Sequence, residues 1–351
     1  MVCVGSTDKS TDIAYEVMKL YIIEAYFMRG LYMTTTDNSR RKFLMTGSAL
    51  AAMPTLGLRA QEEKAVFRGW TVNQLNDQLN QGPYLPPPPE LKKISESYTT
   101  NSEKVRAQYP PKTFSYGSSD AEKLDVFAPA YASGLPIMIF FHGGSWDFDN
   151  KNNYSSQAVP FLLNNAIYIS VGFDNIPPNT MTGLVAQCRK AVNWVYKNAK
   201  QIGGDPNKLY VSGHSSGGHL ANMMLVTEWE KQGLPTNLLK GGSILSGWTD
   251  LYPVSLSMRQ QFLKLTPQEI KDYSPVNFPQ NVKCPVIITC GGGESLYMQM
   301  QSGDWSTKLQ AYNRLAGAYR MQGYVHFTTP FLFNDTNNQV IKSTLALMNL
   351  I

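Results

Sequence analysis

Gly213-His214-Ser215-Ser216-Gly217 has the residue types and spacing for nucleophilic chemistry. It follows a short apolar run, 208–212, and precedes a helix-like stretch, 218–226. A G-x-S-x-G between a strand and a helix predicts a sharp, strained turn that leaves the serine hydroxyl exposed. The flanking positions tolerate little beyond a hydrogen, which is why they are glycines. The pentapeptide alone is a weak signal in a chain with 27 glycines. Its strand–turn–helix context gives it weight.

His142-Gly143-Gly144-Ser145-Trp146 ends a second apolar run, 136–141, which reads as a buried strand. By itself it is a strand ending in a glycine turn. Roughly 70 residues upstream of a nucleophilic turn, it reads as an oxyanion hole. Acyl transfer builds negative charge on a carbonyl oxygen, and losing one backbone donor aimed at that oxygen costs roughly 3–4 kcal/mol of barrier. Gly143 and Gly144 let the backbone approach closely, and the N–H of Ser216 is the expected partner donor.

A serine hydroxyl needs an imidazole to take its proton. The chain has four histidines. His142 sits in the glycine motif, and His214 and His219 flank the serine where side chains point away from its hydroxyl. His326 is left as the candidate base, in the chain order nucleophile, acid, base expected of such a turn. The acid then lies between Ser215 and His326 at a strand end. Glu294 follows the apolar run 285–289 and the loop Cys290-Gly-Gly-Gly293, and is the first candidate. Asp250 and Asp304 are its rivals. Asp335 lies after His326, so the order argues against it.

Together these motifs resemble the α/β-hydrolases, and within them the esterase and kynurenine-formamidase (arylformamidase) branch. His142-Gly-Gly-Ser-Trp146 resembles that branch's HGGxW, and Gly213-His-Ser-Ser-Gly-Gly-His-Leu220 its GHSAGxHL, with Ser216 where alanine is usual. Glu294-Ser295 followed by Gln301-Ser302 resembles its acid loop. His326-Phe327 resembles its terminal His-Phe, with Val325 in place of the common aspartate. Leu124-Asp-Val-Phe-Ala-Pro129 resembles the second strand. The resemblance covers roughly residues 70–350 and implies a mostly parallel, twisted sheet flanked by helices on both faces. Its motifs speak to fold and triad far more than to substrate.

The N-terminus reads separately. Ser39-Arg40-Arg41-Lys42-Phe43-Leu44 resembles a twin-arginine export signal, followed by a small-residue apolar stretch, 45–58, and a cleavage point after Ala60. The stretch is shorter than the roughly 20 residues a membrane span needs. Residues 33–60 are therefore the expected signal peptide, with Met33 the natural start and 1–32 a doubtful upstream extension. A periplasmic or secreted location is the expectation, with no stable span in the mature form.

With 43% hydrophobic and 16% charged residues, the composition suits a globular enzyme, and about 290 residues after removal of a signal suffice for one large-core domain. Part of the formal charge of +5 lies in the signal, and no Lys/Arg cluster suggests nucleic acid. Cys284 and Cys290 bracket one strand, about 20 Å apart if extended, and cannot pair with each other. No zinc-type spacing is present, and no cofactor is implied.

A helical lead-in is expected over 61–112, with pieces near 71–80 and 90–107, before the catalytic domain, 113–351. Strands are predicted near 113–117, 123–128, 136–141, 166–172, 208–212, 240–246 and 285–290. Helices are predicted near 181–200, 305–322 and 338–350, and a cap-like insertion over about 228–282. Trp146 and Trp248 are candidates for lining an acyl or aryl pocket, with Phe148, Met298 and Met300 as additions; each also reads as plain core. The expected partner is a small-molecule ester or amide. Three readings stay open: a carboxylesterase on small or aryl esters through an acyl-enzyme, an arylformamidase-like amide hydrolase, and a non-catalytic hydrolase fold used for binding.

Overall fold

The computed structural model describes residues 64–351. The twin-arginine segment and the upstream extension lie outside the described residues. The chain divides into two units, 1–73 and 74–351. In the first, Phe67 and Trp70 form one antiparallel bridge.

The second unit is built on one eight-stranded sheet. Its strands are β1 (Lys112–Ser115), β2 (Lys123–Phe127), β3 (Leu135–Phe141), β4 (Ile167–Val171), β5 (Gly204–His214), β6 (Leu239–Leu245), β7 (Val286–Gly291) and β8 (Leu315–Met321). They run in the order β1-β2-β4-β3-β5-β6-β7-β8. β2 is antiparallel to β1 and β4, and every pairing from β4 to β8 is parallel. The helices are α1 (Val72–Asn80), α2 (Pro88–Gln108), α3 (Val159–Leu163), α4 (Met181–Asn198), α5 (Ser216–Val226), α6 (Tyr252–Ser255), α7 (Gln260–Leu263), α8 (Pro267–Asp272), α9 (Leu296–Ala311) and α10 (Gln339–Leu347). This is the expected α/β-hydrolase architecture.

The central strands are apolar runs because both faces are covered. Every residue of β4 is buried, as is all of β3 after Leu135. α4 forms where Thr180 caps its start by accepting from Gly183 N–H (3.1 Å), and it buries Leu184, Val185, Cys188, Ala191, Val192 and Val195 at helical spacing. A core cluster joins Phe127, Met138, Phe140, Tyr168 and Tyr210 of the sheet to Tyr98 and Val105 of α2 and to Val340, Ile341 and Leu345 of α10. Each such side chain contributes about 1.5–3 kcal/mol by leaving water.

Two expectations need correction. The helix expected over 305–322 ends at Ala311, and β8 follows it. Asn313 adopts φ +54°, which breaks the helix. Leu315-Ala-Gly-Ala-Tyr-Arg-Met321 then alternates between half-buried and exposed positions along the edge of the sheet. Helix-favouring alanine and leucine yield there to pairing with β7. The stretch 228–282 is also not one insertion, since β6 lies inside it as an interior strand. What lies outside the sheet after β6 is the run of short helices α6, α7 and α8.

Among the described residues, no helix is long and apolar enough to cross a membrane. Cys188, Cys284 and Cys290 are buried and free.

Candidate active site

The site forms at the carboxyl ends of β3, β5, β6 and β7, where an open parallel sheet leaves its crevice. β5 ends at His214, and Ser215 turns the chain into α5 with φ +55° and ψ −122°. This strain is held from both sides: Ser215 N–H donates to Leu245 C=O (3.1 Å), and Ser215 C=O accepts from His219 N–H (3.0 Å). The glycines are steric necessities. A Cβ on Gly217 would sit 2.1 Å from the Phe141 carbonyl oxygen, and one on Gly213 would sit 2.2 Å from that of Gly217.

Ser215 Oγ lies 2.8 Å from His326 Nε2. On the far side of the ring, His326 Nδ1 faces Glu294 Oε2 at 3.6 Å. That gap is longer than a hydrogen bond, and both atoms are buried without another partner. Catalytic contacts of this kind tighten when substrate arrives. The other carboxylate oxygen is occupied: Glu294 Oε1 accepts from Ser246 Oγ–H and from Gly291 N–H (3.0 Å). One oxygen anchors the carboxylate, and the other is left for the imidazole. The rival acids lie elsewhere. Asp250 accepts from Tyr252 N–H (2.9 Å), and Asp304 is on the exposed face of α9.

The base is held through its backbone. His214 Nε2–H donates to the carbonyl of His326 (2.9 Å), and Thr329 Oγ1–H donates to the same oxygen (3.0 Å). Thr329 Oγ1 also lies 3.0 Å from Ser246 Oγ, so the hydroxyl that anchors the acid packs against the segment carrying the base. The acid loop is laced to that segment by Gly292 N–H to Met321 C=O (2.7 Å) and Gly293 N–H to Tyr324 C=O (2.9 Å). Sequence reasoning missed Ser246 and His214 in these roles. Ser246 stands just past β6 in Ser246-Gly-Trp-Thr-Asp250, the same stretch that offers the rival acid Asp250.

After β3, Gly144 takes φ +109°, and a Cβ there would lie 2.1 Å from Phe148 carbonyl oxygen. Ser145 and Trp146 also have positive φ, at 54° and 68°. Gly144 C=O accepts from both Asp147 N–H and Phe148 N–H (3.0 Å each), which rolls the loop into a tight turn. Gly143 packs against the Tyr154 hydroxyl, which a Cβ there would meet at 2.8 Å. Ser216 is the first residue of α5, where helix N–H groups lack an intrahelical acceptor. Trp146 and Trp248 are almost fully buried with ring centroids 6.1 Å apart. Trp146 Nε1–H donates to His219 Nδ1 (3.1 Å), and Trp248 N–H reaches Ser215 C=O (3.4 Å). Met298 is buried in α9, while Phe148 and Met300 are partly exposed.

Burial keeps the other histidines neutral. His142 and His219 are each brought down to about 4, and His214 is held well below the imidazole range by burial and then by the facing His326. On unfolding below about pH 6.5 each takes up a proton that the folded form refuses, so their contribution is present above that pH and lost as pH falls toward 4. Asp149, pushed up to about 6 by burial, opposes them: its unfolded carboxyl ionises first, so stability falls as pH rises from about 4 to 6. Three imidazoles outweigh one carboxyl. The thermal midpoint is therefore expected to drop by roughly 5–10 °C between pH 7 and pH 4.5. A midpoint unchanged across that window, followed by calorimetry, would remove burial of these rings as a determinant of stability.

Among the described residues, no group of three His, Cys, Asp or Glu side chains is placed to hold a metal ion. The BD-FAE family model matches residues 124–309, just over half of the chain. Kynurenine formamidase of Danio rerio is 32% identical over 239 residues, spanning 66% of this chain and 80% of the relative. Carboxylesterase NlhH of Mycobacterium tuberculosis (strain CDC 1551 / Oshkosh) is 28% identical over 109 residues, 31% of this chain and 34% of that protein. The structure of EstE1, a thermophilic carboxylesterase cloned from a metagenomic library, superposes with a TM-score of 0.59 at 19% identity, covering 74% of this chain and 97% of that one. The chain belongs to the BD-FAE family and is an α/β-hydrolase enzyme acting on esters or amides.

Proposed function

We propose that the protein hydrolyses carboxylic esters, small or aryl, by a Ser215–His326–Glu294 triad through an acyl-enzyme. The observation that carries this reading is the 2.8 Å contact between Ser215 Oγ and His326 Nε2, backed by the Glu294 carboxylate on the other side of the ring. Ser215 Oγ attacks the carbonyl carbon while Nε2 takes its proton. Glu294 Oε2 holds Nδ1–H and stabilises the imidazolium. The negative oxygen meets the Gly143, Gly144 and Ser216 N–H groups. The intermediate collapses as His326 returns the proton to the leaving alcohol. Water then repeats the cycle on the acyl-enzyme, releasing the acid and restoring Ser215. Trp146 and Trp248, packed beside the serine turn, give the acyl side an apolar wall.

The kynurenine formamidase relative favours a second reading, hydrolysis of an N-formyl aryl amine. The two readings separate on p-nitrophenyl acetate and N-formylaniline. The ester is expected to give a kcat/KM at least about 100-fold higher. The reverse ratio assigns the enzyme to formamide cleavage. The twin-arginine-like segment supports action in the periplasm or outside the cell, in line with an ester substrate met there; fractionation of cells producing the full chain tests that.

A further inference from the structure

We infer that the stretch 78–102 is part of the catalytic apparatus, with Gln81 and Tyr98 as positioning residues for the acid and the base. This rests on the triad reading above.

Gln81 lies just past α1 with φ +61°, and only 2% of it is exposed. Its side-chain amide grips Ser295, the residue next to Glu294, with both ends. Oε1 accepts from Ser295 N–H (2.8 Å), and Nε2–H donates to Ser295 Oγ (2.8 Å). A second donor hydrogen on Nε2 goes back to Gln78 C=O (2.9 Å). Ser295 is the N-cap of α9, accepting from Met298 N–H (3.2 Å). Gln78 Oε1 accepts from Tyr297 N–H (3.0 Å). Two N–H groups at the start of α9, those of Ser295 and Tyr297, are thus satisfied from a segment more than two hundred residues earlier in the chain. Ser295 cannot shift without breaking a buried two-point contact, so Glu294, one peptide away, is held in register from outside its own loop. Gln299 Nε2–H to Glu294 C=O (2.7 Å) holds it from within.

α2 does the same for the other loops. Tyr98 Oη–H donates to the carbonyl of Phe327 (2.7 Å), the residue after the base. Four residues on, Ser102 Oγ accepts from Ser155 N–H (3.1 Å) and Ser156 N–H (3.3 Å). Thr99 Oγ1–H donates to Asn153 Oδ1 (3.1 Å), and Asn153 Nδ2–H donates in turn to Asp149 Oδ1 (2.7 Å), in the loop that carries Gly144. One continuous stretch of chain therefore reaches the acid loop, the base loop and the glycine loop. A scaffold helix has no need to meet all three; a clamp does.

The test is a double-mutant cycle in the full chain. Gln81→Met keeps volume and removes both contacts with Ser295. It is expected to lower kcat about 100-fold, normalised to sites titrated with a fluorophosphonate, with KM within about twofold. In a Glu294→Gln background the same substitution is expected to cost less than about threefold, because Gln81 acts through Glu294. A merely structural Gln81 would cost the same in both backgrounds, and that additivity overturns the inference. Tyr98→Phe, which keeps the buried ring, supplies a second reading should Gln81→Met not fold: a drop of about tenfold in normalised kcat is expected, and full activity overturns the role of Tyr98. If Glu294→Gln alone leaves kcat intact, the triad itself falls and this inference with it, an outcome distinct from additivity.

Discussion

Ser215→Ala is expected to lower kcat on p-nitrophenyl acetate by at least about 10,000-fold and to abolish covalent labelling by a fluorophosphonate. The hydroxyl is small and its removal leaves the backbone of the turn intact, since φ +55° at residue 215 is enforced by the Leu245 and His219 contacts rather than by the side chain. The circular dichroism spectrum and thermal midpoint are therefore expected to match the wild type. His326 Nε2 then faces a methyl group and has no proton to accept. What activity persists comes from the backbone donors at Gly144 and Ser216 acting on bound substrate with water as nucleophile. Intact-mass spectra read the labelling directly: one adduct on the wild type, mapping to Ser215, and none on the variant. Equal labelling of both proteins removes Ser215 from its role.

Glu294→Gln is expected to cost about 1,000–10,000-fold in kcat with folding preserved. The amide is isosteric, and its oxygen can still accept from Ser246 Oγ–H and Gly291 N–H at the position of Oε1. The amide nitrogen then takes the place of Oε2, facing His326 Nδ1. An N–H directed at Nδ1 makes that nitrogen the acceptor and moves the ring's proton to Nε2, the atom that must receive the proton of Ser215. The imidazole is held in the wrong tautomer, and its protonated form loses its counter-charge. Steady-state kinetics on the same ester measure this. A loss of less than about tenfold would mean that another carboxylate supports the base.

How far the site was legible depended on how local its signals are. The turn at Ser215 is written in five consecutive residues, because each glycine is demanded by an atom a few ångströms away. The glycine loop is legible for the same reason. His326 followed from elimination among four histidines, and Glu294 from its place just past a strand. Parallel strands with both faces covered read as unbroken apolar runs, so β3, β4 and β7 were visible. β8 was not, because at the sheet edge Leu315-Ala-Gly-Ala318 has no apolar run and its composition favours a helix. Ser246, Gln81 and Tyr98 were not legible either. Their contacts span 48, 214 and 229 residues, and a serine, a glutamine or a tyrosine carries no periodicity that marks such a partner.

The separation of 111 positions between Ser215 and His326 also sets an order of events during translation. At about 5–20 residues per second, the ribosome delivers the imidazole some 5–20 s after the alcohol it must activate. Through that interval the alcohol of residue 215 has no imidazole of residue 326 to take its proton. Hydrolytic power therefore cannot precede the arrival of the distal segment that carries residue 326.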